Sequence, residues 1–370
     1  MNLLPTLLLM ALLGSTGPLA AAPSASPVIQ AWAAHIRGPT NAYFQAADLA
    51  LGPTGDIFVA GQAVSPGSDY DIVFSRHSAA GAMVWQKRFE PGDGSSVDEF
   101  SAAIVAKGTN LYLAGTTANP RGDRDFITLK YRDTGEMEWA VRHDGSGGGL
   151  DLPVAVAVDA QGHVLVAGDS IGANGSYDLL VVKYDPMGNP LWTYRYDGPA
   201  QYTDRLADMR LDASGHIHLA GTSDEAEGKP GIVTLKLDPD GRVLWIARES
   251  SGHVYGATAR AMDLDAAGNV VTIGNERSYC VTWKYDANGQ RQWAARYRAE
   301  EPAPMYAGYV RFDATGSILT AANLYGSGTN DTVLVKYGPD GQQLWPRGSP
   351  TRMELFISRR WRSISGAMPI

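Results

Sequence analysis

The chain has 370 residues, 44% of them hydrophobic, with 42 glycines, 21 prolines and a single cysteine, Cys280. That is enough to bury a sizeable core, folded through many tight turns rather than long helices. A net charge of −8 argues against a nucleic-acid partner, whose binding requires clustered Lys and Arg, and one thiol excludes an intrachain disulfide.

The first residues, MNLLPTLLLMALLGSTGPLAAAPS, run apolar from Leu3 to Leu13, break at Gly and Pro, and end on Ala20, Ala21 and Ala22. This is the pattern of a secretory signal peptide over residues 1–22, although no Lys or Arg opens it. Such a stretch rises roughly 16 Å as a helix, about half of a hydrocarbon core, which is short for a membrane span. Cleavage is expected after Ala21, because cutting after Ala22 would leave Pro23 at the new terminus. The expectation is an exported protein, periplasmic or extracellular, and a lone cysteine suits an oxidising compartment. An uncleaved anchor or a buried N-terminal segment is the alternative.

From residue 28 to 347 the chain repeats. Trp32, Trp85, Trp139, Trp192, Trp245, Trp293 and Trp345 stand 53, 54, 53, 53, 48 and 52 residues apart, so one supersecondary unit is copied along the chain. The third unit, Leu150 to Gly198, holds four runs rich in β-branched and aromatic residues, at 153–158, 163–168, 178–184 and 190–196. Turns at Asp159-Ala-Gln-Gly162 and Asp185-Pro-Met-Gly188 separate the outer pairs, which predicts a four-stranded antiparallel meander. Gly81, Gly135, Gly188, Gly241, Gly289 and Gly341 each lie four residues before a repeat tryptophan, where a short hairpin needs φ above zero. Unit two departs from the first-hairpin pattern, with Lys107-Gly108-Thr109 shifted by one residue. First strands carry small residues such as Ala46, Ala103, Ala155 and Ala259, and fourth strands carry the bulky indoles. That gradient predicts an all-β fold, a β-propeller of four-stranded blades with the first strand innermost.

The motifs Asp159 to Gly168, Tyr177 to Asp185 and Leu191 to Pro199 resemble the bacterial seven-bladed β-propeller repeat, SBBP, and their layout is similar to NHL-type repeats. The resemblance spans roughly residues 28–346 and implies an exported bacterial propeller, without one shared activity. Six complete units follow an N-terminal outer strand at Val28 to Arg37. A seven-bladed plan with an incomplete last blade is expected, and closure by six blades is the alternative. The tail, 348–370, is basic (Arg352, Arg359, Arg360, Arg362) and lacks the repeat motifs, as in a truncated or frame-altered last blade.

The second-to-third loops and the blade links emerge opposite the tight turns and are longer, so they form the expected ligand face. Asp98, Asp151 and Asp204 open first strands there, and Asp71, Asp125, Asp178 and Asp331 open third strands. They read either as an acidic ring attracting a cation or basic partner, or as caps on loop amides. Tyr202, Tyr255 and Tyr306 precede first strands, as stacking platforms for a sugar or as packing against a neighbouring blade. Arg76, Lys130, Lys183, Lys236, Lys284 and Lys336 close third strands, and a sixfold copy predicts a structural task, an aliphatic stem on apolar surface with its charge in water.

No catalytic, metal or cofactor site is expected. His216 and His218 share a strand face without a third ligand, and Asp263 to Thr272 lacks the glutamate of a calcium loop. Gly147 to Asp151 resembles part of a calcium-binding nonapeptide, but stands in one copy where such repeats work as tandem arrays, and Arg121-Gly122-Asp123 is a chance tripeptide. The expected function is a monomeric, non-enzymatic binding scaffold for an extracytoplasmic protein or glycan. The alternative is a carbohydrate lyase or hydrolase with carboxylates, Asp151 and Asp204 first, drawn from different blades.

Overall fold

Short apolar runs interrupted every few residues by glycine-cornered turns are too brief for helices and pair as hairpins. The computed structural model describes Ala33, Ile36 and residues 44–64, 70–89, 99–119, 122–146, 148–225, 229–250, 256–299, 304–325 and 330–345. Trp32, Asp98, Tyr255, Arg121, Gly147, the N-terminal leader and the basic tail lie outside the described residues, as does most of the N-terminal outer strand. No helix among the described residues is long and apolar enough to cross a membrane.

Among the described residues, twenty-three strands form six antiparallel sheets, each running in chain order. The first holds β1 (Phe44–Leu51), β2 (Ile57–Val64), β3 (Tyr70–His77) and β4 (Met83–Arg88). The second holds β5 (Glu99–Lys107), β6 (Asn110–Ala118), β7 (Arg124–Arg132) and β8 (Met137–His143). The third holds β9 (Asp151–Val158), β10 (Val164–Ile171), β11 (Tyr177–Tyr184) and β12 (Pro190–Tyr196), within three residues of the four expected runs. The fourth holds β13 (Asp204–Leu211), β14 (Ile217–Glu225), β15 (Lys229–Leu237) and β16 (Val243–Glu249). The fifth holds β17 (Thr258–Leu264), β18 (Val270–Glu276), β19 (Tyr279–Tyr285) and β20 (Arg291–Tyr297). The sixth has three strands, β21 (Met305–Phe312), β22 (Ile318–Tyr325) and β23 (Asn330–Tyr337). Its expected fourth strand is reduced, within the described residues, to a bridge between Tyr337 and Gln343 and one bond from the Leu344 amide to the Lys336 carbonyl.

The chain divides into two compact units between Leu211 and Asp212. In the first, Phe58, Phe74, Leu113, Leu129 and Tyr131 form a core from the first and second sheets, and Tyr112, Phe126, Val166, Val182 and Tyr184 one from the second and third. In the second, Ile273, Cys280, Val310, Ile318 and Tyr337 join the fifth and sixth sheets. Middle strands such as β10 and β11 are buried on both faces, whereas the fourth strand β12 is largely exposed or half-buried. Continuous apolar runs in the middle strands record this two-sided burial.

The repeat tryptophan joins one blade to the next. The indole N–H of Trp139 donates to the Pro186 carbonyl at 3.1 Å, and that of Trp85 to Asp133 at 2.9 Å. In the second unit Trp245 donates to Ala287 at 3.1 Å and Trp293 to Pro339 at 2.9 Å. Each accepting carbonyl sits in the third-to-fourth turn of the following blade. The glycine of that turn therefore does two things. Gly289 has φ 80°, and a Cβ there would lie 2.5 Å from the Trp245 ring.

Four of the six basic residues closing third strands do not hold their charge in water, contrary to the expectation from their sixfold copy. Lys130, Lys183, Lys236 and Lys284 are instead all buried. Lys183 pairs with Asp159 at 3.2 Å, Lys236 with Asp212 at 3.3 Å and Lys336 with Asp313 at 2.7 Å, each acid opening the first turn of its own blade. Unit two has no such turn aspartate, and there Glu138 takes its place, 2.8 Å from Lys130. Strand register delivers the ammonium to these acids, and burial makes the pairing obligatory.

Candidate functional site

Third strands begin, and blade links end, on one edge of each sheet, because antiparallel neighbours reverse direction. In the second blade that edge brings together Asp125, at the start of β7, and Asp144 and Asp151, which bracket the link into β9. In the third blade it brings together Asp178, at the start of β11, with Asp197 and Asp204, which bracket the link into β13. Within each triad one ligand oxygen per carboxylate lies within 4.8 Å of the others. Corresponding members are 53 residues apart, one repeat period.

The links share the pattern Asp-Gly-x5-Asp. The Gly145 amide donates to Asp151 Oδ2 at 2.6 Å, and the Gly198 amide to Asp204 Oδ2 at 2.6 Å. The loop-capping alternative for Asp151 and Asp204 is thus present in the geometry. A Cβ on Gly145 would meet Ser170 Oγ at 2.2 Å and Asp151 Oδ1 at 2.6 Å, so the link packs directly on its acid.

An arginine from the fourth strand flanks each triad. Arg142 Nε lies 3.7 Å from Asp125 Oδ2, and Arg195 Nη1 lies 2.8 Å from Asp178 Oδ2. Asp125 and Asp178 are 1% and 2% exposed, and their Oδ1 atoms are buried with no hydrogen-bond partner. Burial, reinforced by Asp144 and by Asp151 and opposed by Arg142, pushes the Asp125 carboxyl up to about 6. Burial also raises Asp151 and Asp178, against hydrogen bonds from Ser170 and the Gly145 amide in one case and from Arg195 in the other. Asp144 and Asp197 are exposed.

The other sequence candidates are dispersed. Asp71 repeats the third-strand start and pairs with Arg88 at 3.3 Å, while Asp331 is exposed. Tyr202 is 51% exposed, and Tyr306 is 47% exposed and meets Tyr325 edge-on at 5.2 Å between ring centroids. Asp144 and Asp197 are absent from the sequence candidates. Their signal is the Asp-Gly-x5-Asp spacing, repeated at one period. In the fourth blade the matching positions are Gly231, Ser250 and Ala257, so the triad is not copied there.

His216 and His218 converge on Asp212, with Nδ1 and Nε2 at 2.9 and 3.2 Å from Oδ2. The Lys236 ammonium lies 3.3 Å from the same oxygen, which fills the place a cation would take. This cluster is structural. Burial holds His218 down to about 4, against the pull of Asp212 and with Lys236 and His216 acting in the same direction as burial. Burial would raise Asp212, but bonds from His218 and His216 outweigh it and hold the acid low. An unfolded chain binds a proton at His218 below about pH 6.5 that the folded chain refuses, so stability falls as pH drops from about 6.5 to about 4. The loss approaches roughly 3 kcal/mol, and the Asp212 contribution disappears only at more acidic pH. Replacing His218→Asn is expected to flatten the melting temperature against pH across that window; an unchanged slope would refute the assignment.

The model of a domain of unknown function, the DUF5122 β-propeller domain, matches residues 162–190, the core of the third blade. The chain is a β-propeller. No curated protein matches it. Similar solved structures include a dihydro-haem d1 dehydrogenase in complex with DHE, at 13% identity and a TM-score of 0.47, over 80% of this chain and 56% of that one. Another is a europium-containing methanol dehydrogenase, at 11% identity and a TM-score of 0.46, over 82% of this chain and 72% of that one. A third is the Dos1 propeller, at 10% identity and a TM-score of 0.46, over 79% of this chain and 73% of that one. This chain thus spans little more than half the length of the first of these structures, and the activities in their names belong to those proteins.

Proposed function

We propose that this propeller is an exported, monomeric, non-enzymatic scaffold that binds an extracytoplasmic protein or glycan through its loop edges. One observation carries the reading: the tight-turn edges are tied blade to blade through the indoles, whereas the loop edges, although also bonded between blades (the Leu206 amide to Asp169 at 2.7 Å, the Ala307 amide to Asn275 at 3.0 Å), still present exposed carboxylates and aromatic rings. Turn carbonyls of Asp133, Pro186, Ala287 and Pro339 each accept an indole N–H from the preceding blade. The opposite edges carry the acidic triads and the half-exposed Tyr202 and Tyr306, charge and flat apolar faces suited to recognition.

The rival reading assigns Asp151 and Asp204 as acid and base of a carbohydrate lyase or hydrolase. Such pairs work because their environments drive their pKa values apart. Asp151 and Asp204 have matching surroundings instead: both are buried, and both accept a link glycine amide at 2.6 Å. That symmetry favours the scaffold.

A panel of soluble polysaccharides separates the two. The scaffold is expected to retard one of them in affinity electrophoresis, or to bind none and require a protein partner, while releasing no new reducing ends. Release that is abolished by Asp151→Asn or Asp204→Asn would establish the enzyme instead. Export is checked by expressing the full chain in a bacterium and sequencing the N-terminus from the periplasmic or medium fraction. The mature chain is expected to begin at Ala22, and an intact Met1 in the cytoplasmic fraction alone would contradict export.

A further inference from the structure

We infer that the two aspartate triads, Asp125–Asp144–Asp151 and Asp178–Asp197–Asp204, are a tandem pair of divalent-cation sites suited to calcium. This inference stands whether or not the scaffold reading holds. The donor set comes first. Six carboxylates and no imidazole or thiolate make both sites hard-oxygen sites, which select calcium, magnesium or manganese over zinc and copper.

The spacing of the oxygens accommodates calcium, the larger of the hard cations. Calcium sits about 2.3–2.6 Å from each oxygen, so two of its ligands can lie up to about 5 Å apart. Magnesium, at about 2.0–2.1 Å, demands oxygens within about 4.2 Å of one another. The three ligand oxygens of each triad lie within 4.8 Å of one another, inside the first sphere.

Charge points the same way. In each triad three carboxylates face one guanidinium, Arg142 or Arg195, which leaves two negative charges for one divalent ion. The acidic cluster does not carry the inference unaided. Asp125 Oδ1 and Asp178 Oδ1 are buried oxygens with no hydrogen-bond partner, on carboxylates whose Oδ2 atoms face the arginines. A buried carboxylate oxygen with no donor is costly unless something positive meets it, and a cation shared with the other two acids supplies that. The same orphan atom recurs at the same position one period later, so the unmet acceptor is a copied feature. Asp144 and Asp197, exposed above their buried partners, give the ion a route in and leave room for water ligands.

The bound ion would tie each link to the third strand of its own blade, holding the loop edge in one shape. Where the triad is replaced, by Gly231, Ser250 and Ala257, the link is free of this requirement.

Isothermal titration of the chelator-treated full chain with calcium chloride near neutral pH tests the proposal. Saturation at two ions per chain is expected, with dissociation constants of about 1 mM or tighter and magnesium at least about tenfold weaker. Asp144→Asn and Asp197→Asn change exposed residues, so the fold tolerates them, and circular dichroism checks that it does. Each is expected to remove one of the two binding events, and the pair to remove both, while Asp240→Asn in an exposed turn changes neither. Absence of calcium binding by the folded chain at about 5 mM, or binding that survives the double substitution, would overturn the proposal. Equal binding of magnesium would overturn the assignment to calcium.

Discussion

Gly168→Ala is expected to cost about 3 kcal/mol or more, although it adds a single methyl group. The second strand β10 carries Gly168 opposite Pro153, at the point where the β9–β10 register shifts. That bulge carries the first strand's backbone over the glycine, and a Cβ there would stand 2.1 Å from the Leu152 carbonyl oxygen and 2.6 Å from Pro153 Cα. Neither atom belongs to a flexible side chain, so relief requires opening the ladder on one side of a closely packed sheet. The same crossing occurs at Gly61, 2.1 Å from the Gln45 oxygen, and at Gly274, 2.4 Å from the Thr258 oxygen. Gly175→Ala is the comparison. Its φ is 82° but a Cβ would meet nothing within 4 Å, so only the left-handed backbone is strained, at about 1 kcal/mol. Urea unfolding midpoints distinguish them, and equal losses would mean that close approach is not what selects glycine at 168.

Asp159→Ala is expected to cost about 3–4 kcal/mol, and Lys183→Met markedly less, about 1 kcal/mol. Asp159 Oδ1 accepts the amides of Gln161 and His163 at 3.0 and 2.9 Å, which shapes the turn. Its Oδ2 meets His163 Nδ1 at 2.8 Å and Lys183 Nζ at 3.2 Å. Lys183 is only 4% exposed, so deleting the acid strips a buried ammonium of its carboxylate and unmakes the turn at once. Deleting the ammonium leaves an acid still satisfied by two amides and an imidazole. The asymmetry is the diagnostic, measured as the difference in unfolding free energy of the two variants. Equal costs would show that the pair acts as a surface ion pair.

The blade is legible in the sequence because its demands are local and copied. A tryptophan every period, a glycine four residues before it and an aspartate opening many of the turns all answer to steric or hydrogen-bonding needs within a few residues. What stays hidden depends on register across strands. Lys183 reads as a stem with its charge in water, because nothing in the sequence shows that its head faces Asp159 in the buried turn. Gly289 reads for its φ alone, since the Trp245 ring reaches it from the preceding blade.

The candidate site is half visible. Asp125, Asp151, Asp178 and Asp204 stand out as strand starts, but as an extended ring and not as two groups. Grouping them needs Asp144 and Asp197, which lie in the links and carry only the repeated Asp-Gly-x5-Asp spacing as their signal. Tyr202 and Tyr306 stand on exposed positions, a matter decided by neighbours that the sequence does not order.

A crystal structure of the full chain grown with about 5 mM calcium chloride bears on the whole account at once. Copied four-stranded sheets in the register described, with an ion among the three carboxylates of both triads, are the predicted result. Strands in another register, or triads whose carboxylates stand apart with no ion between them, would contradict it.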